Sequence, residues 1–390
     1  MTEKLFYQDS YTRDFQAEVI DCIKDGEYFY VVLNRTAFFP EGGGQYADTG
    51  YLNDVEVLDV QESEGVLYHK TEKPLEVGEL VNGKIDWDLR FMKMQQHTGE
   101  HIVSGLITKR FGYQNVGFHL GSEDCTMDFN GDITREQLEE IEYSANRAVA
   151  QNLEIQVQYP TKEELEKISF RSKIEIEGQI RIVTIPQYDV CACCAPHVKR
   201  TGEIGLIKLT NVQRYKGGVR ITMLCGFRAL SDYKQKAAST RSISVMLSAP
   251  ENEIVQAVST MKENLSAWKT KAIQLQREVL KYQVEQIPKE ENIVVFFEDE
   301  LENEDARYLM NMVLEKGKSF CAVLRKKDCE CFQYTMGSQC IDLRSFIKAM
   351  HEEFEGRGGG KPEMVQGSVN GKKDDLEKWI LEKVRQNIHE

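Results

Sequence analysis

Short runs of apolar and aromatic residues, broken by turn dipeptides, fill the chain from Gln16 to about Tyr68. One such break, Asp25-Gly26, joins a strand near Glu18 to Lys24 with another over Glu27 to Leu33, so the opening segment reads as a small β-rich, barrel-like domain. Near Phe91 the period changes: Met94, His97, His101 and Ser104 recur at three- and four-residue steps, as one face of a helix does. A strand-like Cys125 to Phe129 and a helix over Arg135 to Asn152 follow. Alternating segments return at Ile174 to Ile185 and Gly205 to Leu209, so the middle of the chain reads as helices packed on a sheet. Later, Ile254, Val258, Met261, Leu265, Trp268, Ala272, Leu275, Val279 and Tyr282 alternate steps of four and three, the a/d repeat of a coiled-coil seam. Ser248-Ala249-Pro250-Glu251 reads as a capping box at its start, and the stretch from about Ala229 to Leu247 as the other arm of a helical hairpin. Pro288 ends the long helix. Strand-like Ile293 to Phe297 and Ala322 to Arg325, with amphipathic helices over Asp305 to Glu315 and Asp374 to Asn387, suffice for a separate small α/β domain.

The fold class is therefore α+β in four parts: a β-rich domain over 1–88, an α/β domain over 89–228, a helical hairpin over 229–286 and a C-terminal globular domain over 287–390. A chain of 390 residues is long enough to bury several cores. No stretch of signal-peptide character opens it, and no apolar run reaches the roughly 18 to 20 residues that cross a bilayer, so a cytoplasmic protein without a membrane partner is expected. In that reducing setting its ten cysteines point to metal binding or chemistry rather than disulfides, and Cys191, Cys193 and Cys194 form a cluster. A net charge of −14 opposes nonspecific wrapping of nucleic acid. Against that background Lys199, Arg200, Lys208, Arg214, Lys216, Arg220 and Arg228 stand out, with Glu203 the one acid among them. Charge patterning alone leaves this stretch as a solvated face or a phosphate-contacting one.

His97-Thr98-Gly99-Glu100-His101 stacks two imidazoles one helical turn apart, close enough to share an ion. Two ligands seldom suffice. Cys193-Cys194-Ala195-Pro196-His197 supplies a thiolate and a third imidazole, and the four together suit a tetrahedral zinc, one per chain. Four protein ligands are also the usual form of a structural zinc. The same histidine pair fits the inverted H-x-x-E-H pattern of a metallopeptidase, with Glu100 as general base, but that reading requires a carboxylate ligand and leaves Cys193 and His197 without a role.

The run Thr36-Ala37-Phe38-Phe39-Pro40-Glu41-Gly42-Gly43-Gly44-Gln45, then Asp48-Thr49-Gly50, resembles the opening signature of the editing region of alanyl-tRNA synthetases and their freestanding relatives, the AlaX proteins. Met94 to His101 is similar to that family's histidine-pair helix. Cys193 to His197, with Val198 and Thr201 to Gly205, is similar to its second ligand motif, and Gly217 to Arg220 to the segment that closes the region. The coiled coil and the glycine-rich 356–367 resemble the synthetase's C-terminal domain, so the likeness covers nearly the whole chain and implies a long-form AlaX protein. Between Cys193 and His197 the family usually has two glycines and a threonine where this chain has Cys194, Ala195 and Pro196.

What the resemblance implies is zinc-dependent deacylation in trans of tRNA(Ala) carrying serine, with glycine as a second candidate. It implies His97, His101, Cys193 and His197 as ligands. The aminoacylating core is missing, so the chain is expected not to charge tRNA. Selectivity for serine over alanine turns on one hydroxyl, and Thr36 and Gln45 are the candidates to meet it. Gly42, Gly43 and Gly44 permit close backbone approach to the terminal adenosine. Lys199, Arg200 and Arg220 would meet tRNA phosphates. The C-terminal region is expected to add tRNA contact, homodimerisation or both, and Gly356 to Pro362 reads equally as a phosphate contact or a flexible linker. A noncatalytic zinc-containing tRNA-binding protein is the remaining alternative.

Overall fold

Alternation is strict where the first long strand, Asp14–Asp25, begins: Phe15, Ala17 and Val19 point inward and their neighbours outward. This strand closes a six-stranded barrel with Tyr28–Leu33, Val66–Thr71, Val55–Ser63, Gly50–Leu52 and Leu80–Ile85, in that order around the wall. The computed structural model describes residues 1–121, 124–172, 180–327 and 331–389. It divides into two units, 1–243 and 244–390, and the chain is of mixed α+β class.

The barrel core holds one histidine. His69 is fully buried; its Nδ1 donates to the Val31 carbonyl at 2.9 Å, which leaves Nε2 to accept from the Thr36 hydroxyl at 2.9 Å. Burial pushes its pKa from 6.5 down to about 4. Between those values the unfolded chain binds a proton that the folded chain refuses, so stability falls as pH drops from 6.5 to 4, by about 3 kcal/mol in all. Urea unfolding across that range should show the loss, with a shallower acid limb in His69→Gln.

The helix Trp87–Phe111 starts where Asp86 accepts the Leu89 N–H and stops at Gly112, whose φ of 75° forms a left-handed cap. It is buried on nearly every side because it runs between two cores, the barrel and a larger one beside it. Over it lies an antiparallel sheet ordered Ile207–Tyr215, Gly218–Cys225, Cys125–Phe129, Asn115–Leu120. The helix Arg135–Gln151 packs on that layer behind a capping box of Thr134 and Gln137. A smaller sheet, Gln156–Gln158, Ile182–Ile185 and Asp189–Ala192, presents its last strand to the histidine helix. The expected strand over Ile174 to Ile185 is seen at Ile182–Ile185; residues 174–179 lie outside those described.

The second unit carries the long helix Ile254–Gln286, which spans the a/d seam. Its expected capping box is not formed. Ser248 takes a φ of 50°, and Pro250 leads into a 3-10 turn, Glu251–Glu253, without a side-chain cap. Proline fits there because its fixed φ and missing N–H suit a turn that starts before the α-helix does. A five-stranded sheet follows, ordered Ile293–Phe297, Phe320–Lys326, Cys331–Ser338, Met364–Asn370, Arg357–Lys361, with helices Asn303–Glu315, Leu343–Phe354 and Lys373–His389. The glycine-rich segment is thus an edge strand rather than a linker: Arg357 to Lys361 pair in register with Ser368 to Met364. Glycine is required because a side chain at Gly358 or Gly367 would meet the Tyr334 hydroxyl within 2.4 Å.

Candidate metal centre

Two elements converge on one point inside the first unit. His97 and His101 project from the helix Trp87–Phe111, their ring centroids 5.5 Å apart. Cys193 and His197 come from the loop after Asp189–Ala192, which is pinned from both sides: Ala195 packs in the barrel core and Val198 in the neighbouring one. Arg181 braces it, donating from Nη1 to the carbonyls of Cys193 and Ala195 at 2.8 and 3.0 Å. The four ligand atoms lie within 4.8 Å of one another.

Spacing and donor chemistry both fit zinc. Bonds of roughly 2.0 to 2.3 Å in a tetrahedron imply ligand separations of roughly 3.5 Å, and Cys193 Sγ is 3.4 Å from both His97 Nε2 and His197 Nε2. Each imidazole also has a polar neighbour at Nδ1, a hydrogen bond for His97 and His197 and a close carboxylate contact for His101. Gln45 Oε1 lies 3.2 Å from that of His97, Thr98 Oγ1 3.0 Å from that of His197, and Asp189 Oδ2 2.9 Å from that of His101. With these groups behind Nδ1, Nε2 is the nitrogen left to face the centre, the usual outer arrangement around a protein-bound metal. Burial pushes the Cys193 thiol up and the His197 imidazole down, so both are neutral without a cation beside them. A divalent ion reverses that preference for the thiol.

The glycine loop covers this centre. Gly42 and Gln45 exchange backbone hydrogen bonds of 3.0 and 3.1 Å across Gly43 and Gly44, whose φ values of 63° and 81° are left-handed. Gly44 O accepts from the Leu120 N–H at 2.7 Å, which ties the barrel loop to the strand Asn115–Leu120. A Cβ on Gly43 would lie 3.7 Å from both His97 Cε1 and Cys194 Sγ. Gln45 is buried, and with Oε1 turned to His97 its Nε2 has no hydrogen-bond partner among the described residues.

Thr36 sits in the barrel interior, its oxygen accepting from the Phe38 N–H at 3.1 Å while its proton goes to His69. The basic residues are less free than their sequence neighbourhood suggests. Arg220 forms a fork on Asp128 at 2.6 and 2.8 Å, Lys208 meets Glu142 at 2.7 Å, Lys199 meets Asp9 at 3.1 Å, and Arg200 donates to the Asn152 carbonyl at 2.7 Å. Their acids come from distant segments. Glu100 is also buried, its Oε1 accepting from Ser104 Oγ at 2.6 Å and Asn115 Nδ2 at 2.7 Å.

Sequence reasoning did not find Thr98, Asp189 or the buried group Asp48, Arg90 and Lys93. Thr98 stands inside the histidine motif and Asp48 inside the first glycine motif, so both carried a signal; Asp189 lies only four residues before Cys193 and had none.

Residues 3–89 match the family described as tRNA synthetases class II (A), and residues 180–222 the threonyl and alanyl tRNA synthetase second additional domain. The alanyl-tRNA editing protein AlaX-L of Pyrococcus horikoshii is 27% identical, over 100% of both chains. The alanyl-tRNA editing protein Aarsd1 of Rattus norvegicus is also 27% identical, over 94% of this chain and 93% of that protein. The alanine–tRNA ligase of Pyrococcus furiosus is 30% identical over 99% of this chain, which spans only 44% of the ligase.

Proposed function

This chain is a relative of the alanyl-tRNA editing proteins, matched over 94 to 100% of its length, and from that premise we propose that it deacylates mischarged tRNA(Ala) in trans. Serine is the main amino acid removed and glycine a second. One observation carries the reading: a buried set of three imidazoles and a thiol meets directly beneath a glycine loop whose neighbouring glutamine keeps an unused donor.

Zinc held by His97, His101, Cys193 and His197 supplies a cation that anchors and orients the aminoacyl end. Gln45 holds His97 by its carbonyl and offers its amide N–H groups to a substrate oxygen. A buried donor without an acceptor is costly, by about 1 to 3 kcal/mol, and a substrate that fills it recovers that. Thr36 is the proposed partner of the serine hydroxyl. With its proton committed to His69 and one lone pair to Phe38, its remaining lone pair is an acceptor that serine can use and alanine cannot. Gly42 to Gly44 let the terminal adenosine approach the backbone. Lys199, Arg200 and Arg220 meet phosphates, sharing their present acidic or carbonyl partners. The exposed seam side chains Val258, Met261, Leu265, Trp268, Leu275, Val279 and Tyr282 are proposed to join a second copy of the chain. A cytoplasmic setting suits the substrate.

The four-residue cluster contains no carboxylate, and although Glu100 Oε2 lies 3.8 Å from His101 Nε2, its Oε1 is spent on Ser104 and Asn115 and a peptidase reading leaves Cys193 and His197 without a role. The deciding assay incubates the zinc-loaded chain with tRNA(Ala) carrying serine, glycine or alanine and follows the surviving ester. The seryl ester should disappear fastest and the alanyl ester persist. Seryl ester that decays at the buffer rate, with one zinc bound, would sink the proposal.

A further inference from the structure

Among the described residues, His101 is the one of the three histidines with a carboxylate at its Nδ1, and that carboxylate is itself clamped. Asp189 Oδ2 lies 2.9 Å from His101 Nδ1, an ion-pair contact that is not aligned as a hydrogen bond; Arg171 reaches both oxygens, Nε to Oδ1 at 2.7 Å and Nη2 to Oδ2 at 2.8 Å. Asp189 and His101 are both buried, at 6% and 2% exposure. The arrangement is built into the backbone. Gly105 lies one turn beyond His101, and a Cβ there would stand 2.2 Å from the Tyr188 carbonyl and 3.0 Å from Asp189 Cβ. Only glycine lets the strand Asp189–Ala192 start against the helix at this depth. Arg171 is held beside the same strand, its N–H donating to the Val190 carbonyl at 2.8 Å and its carbonyl accepting from Ala192 at 2.9 Å.

We infer that Asp189, fixed by Arg171 and admitted by Gly105, is a positioning residue that makes His101 the strongest imidazole donor of the metal site. The inference rests on the zinc reading above. Among the described residues the groups at Nδ1 of His97 and His197 are neutral, an amide and a hydroxyl, which fix ring orientation and tautomer but do little to strengthen the ligand. A carboxylate does both, because its charge draws the Nδ1 proton and leaves more electron density on Nε2. Asp189 does not serve as a ligand itself. Although it lies close enough to His101 and Cys191 to form a second possible ion group, the Arg171 fork spans both of its oxygens and it faces the outer nitrogen of His101.

The test measures zinc affinity of the full chain by competition with a chromophoric chelator, so that the readout is independent of turnover. Asp189→Ala should bind zinc about 10- to 100-fold more weakly than the parent. Asp189→Asn, whose carbonyl can still accept from Nδ1, should fall between the two. Nitrogen NMR of the metal-free chain should show the His101 tautomer fixed in the parent and mixed in Asp189→Ala. Equal zinc affinity in parent and Asp189→Ala overturns the inference. So does a loss that is the same for alanine and asparagine and matched by lower metal-free stability, since that marks a purely structural role. If Asp189→Ala does not fold, Asp189→Asn carries the test, and parent-like affinity there overturns it. A parent chain that takes up no zinc fails one step earlier and overturns the site reading itself.

Discussion

Replacing Cys193 by alanine should strip the chain of bound zinc and slow deacylation of serylated tRNA(Ala) at least about a hundredfold, whereas Cys194→Ala should keep both. Three cysteines within four residues make the assignment ambiguous on paper. In the structure they diverge: Cys193 Sγ lies 3.4 Å from two ligand nitrogens, Cys194 is exposed beside Gly43, and Cys191 is buried in the strand behind the site. Loss of Cys193 leaves three imidazoles with no thiolate to offset the ion's charge, so affinity and substrate alignment fall together. The magnitude follows from positioning, since displacement by about 1 Å at a reacting centre can cost a hundredfold. Metal analysis of the purified variants and single-turnover ester hydrolysis read the two effects separately. A Cys193→Ala chain that keeps a full zinc and the parental rate would remove the thiol from the site.

The histidine pair was legible because a helix repeats every 3.6 residues, so spacing alone places His97 and His101 together. The meeting of that pair with Cys193 and His197 was legible from donor types and family resemblance rather than from spacing: it depends on how a strand from a separate small sheet docks on the helix, and no local pattern encodes that docking. The glycine that permits it, Gly105, looks like any helix glycine in the sequence. The charge balance of the basic stretch was hidden for the same reason. Lys199 to Arg228 has one acid nearby in sequence, yet Asp9, Asp128 and Glu142 reach it in space. Sequence neighbourhood is a poor guide to charge neutralisation on strands whose partners lie many residues away. The glycine-rich segment near the C-terminus reads equally as a phosphate contact or a linker because glycine has no side-chain pattern, while its strand identity comes from the neighbour it pairs with.

Asp48→Ala should destabilise the first unit by about 3 to 5 kcal/mol, the largest stability effect expected in the chain. Asp48 lies in the first motif but works beneath it. Arg90 and Lys93, both fully buried on the histidine helix, converge on its carboxylate, Arg90 from Nε at 2.8 Å and also from Nη2, Lys93 at 3.5 Å, while the Phe39 N–H donates to it at 2.8 Å. Burial already pushes Lys93 down to about 8 against the opposing pull of Asp48. With Asp48 gone, Lys93 can shed its proton, but a guanidinium cannot, so Arg90 is left as an uncompensated charge in a dry core. This separates charge burial from simple loss of packing: Asp48→Leu with Arg90→Met, which removes both charges, should cost less than Asp48→Ala alone. Urea unfolding read at Trp87, with Trp268 and Trp379 changed to phenylalanine, confines the signal to the first unit; an unchanged midpoint in Asp48→Ala would refute the assignment. The effect should extend to catalysis, because Arg90 also donates to the Ala37 carbonyl at 2.6 Å and Lys93 to the Ala47 carbonyl. These contacts anchor the two ends of the loop that holds Gln45 against His97, so even the folded fraction of Asp48→Ala should deacylate more slowly than the parent.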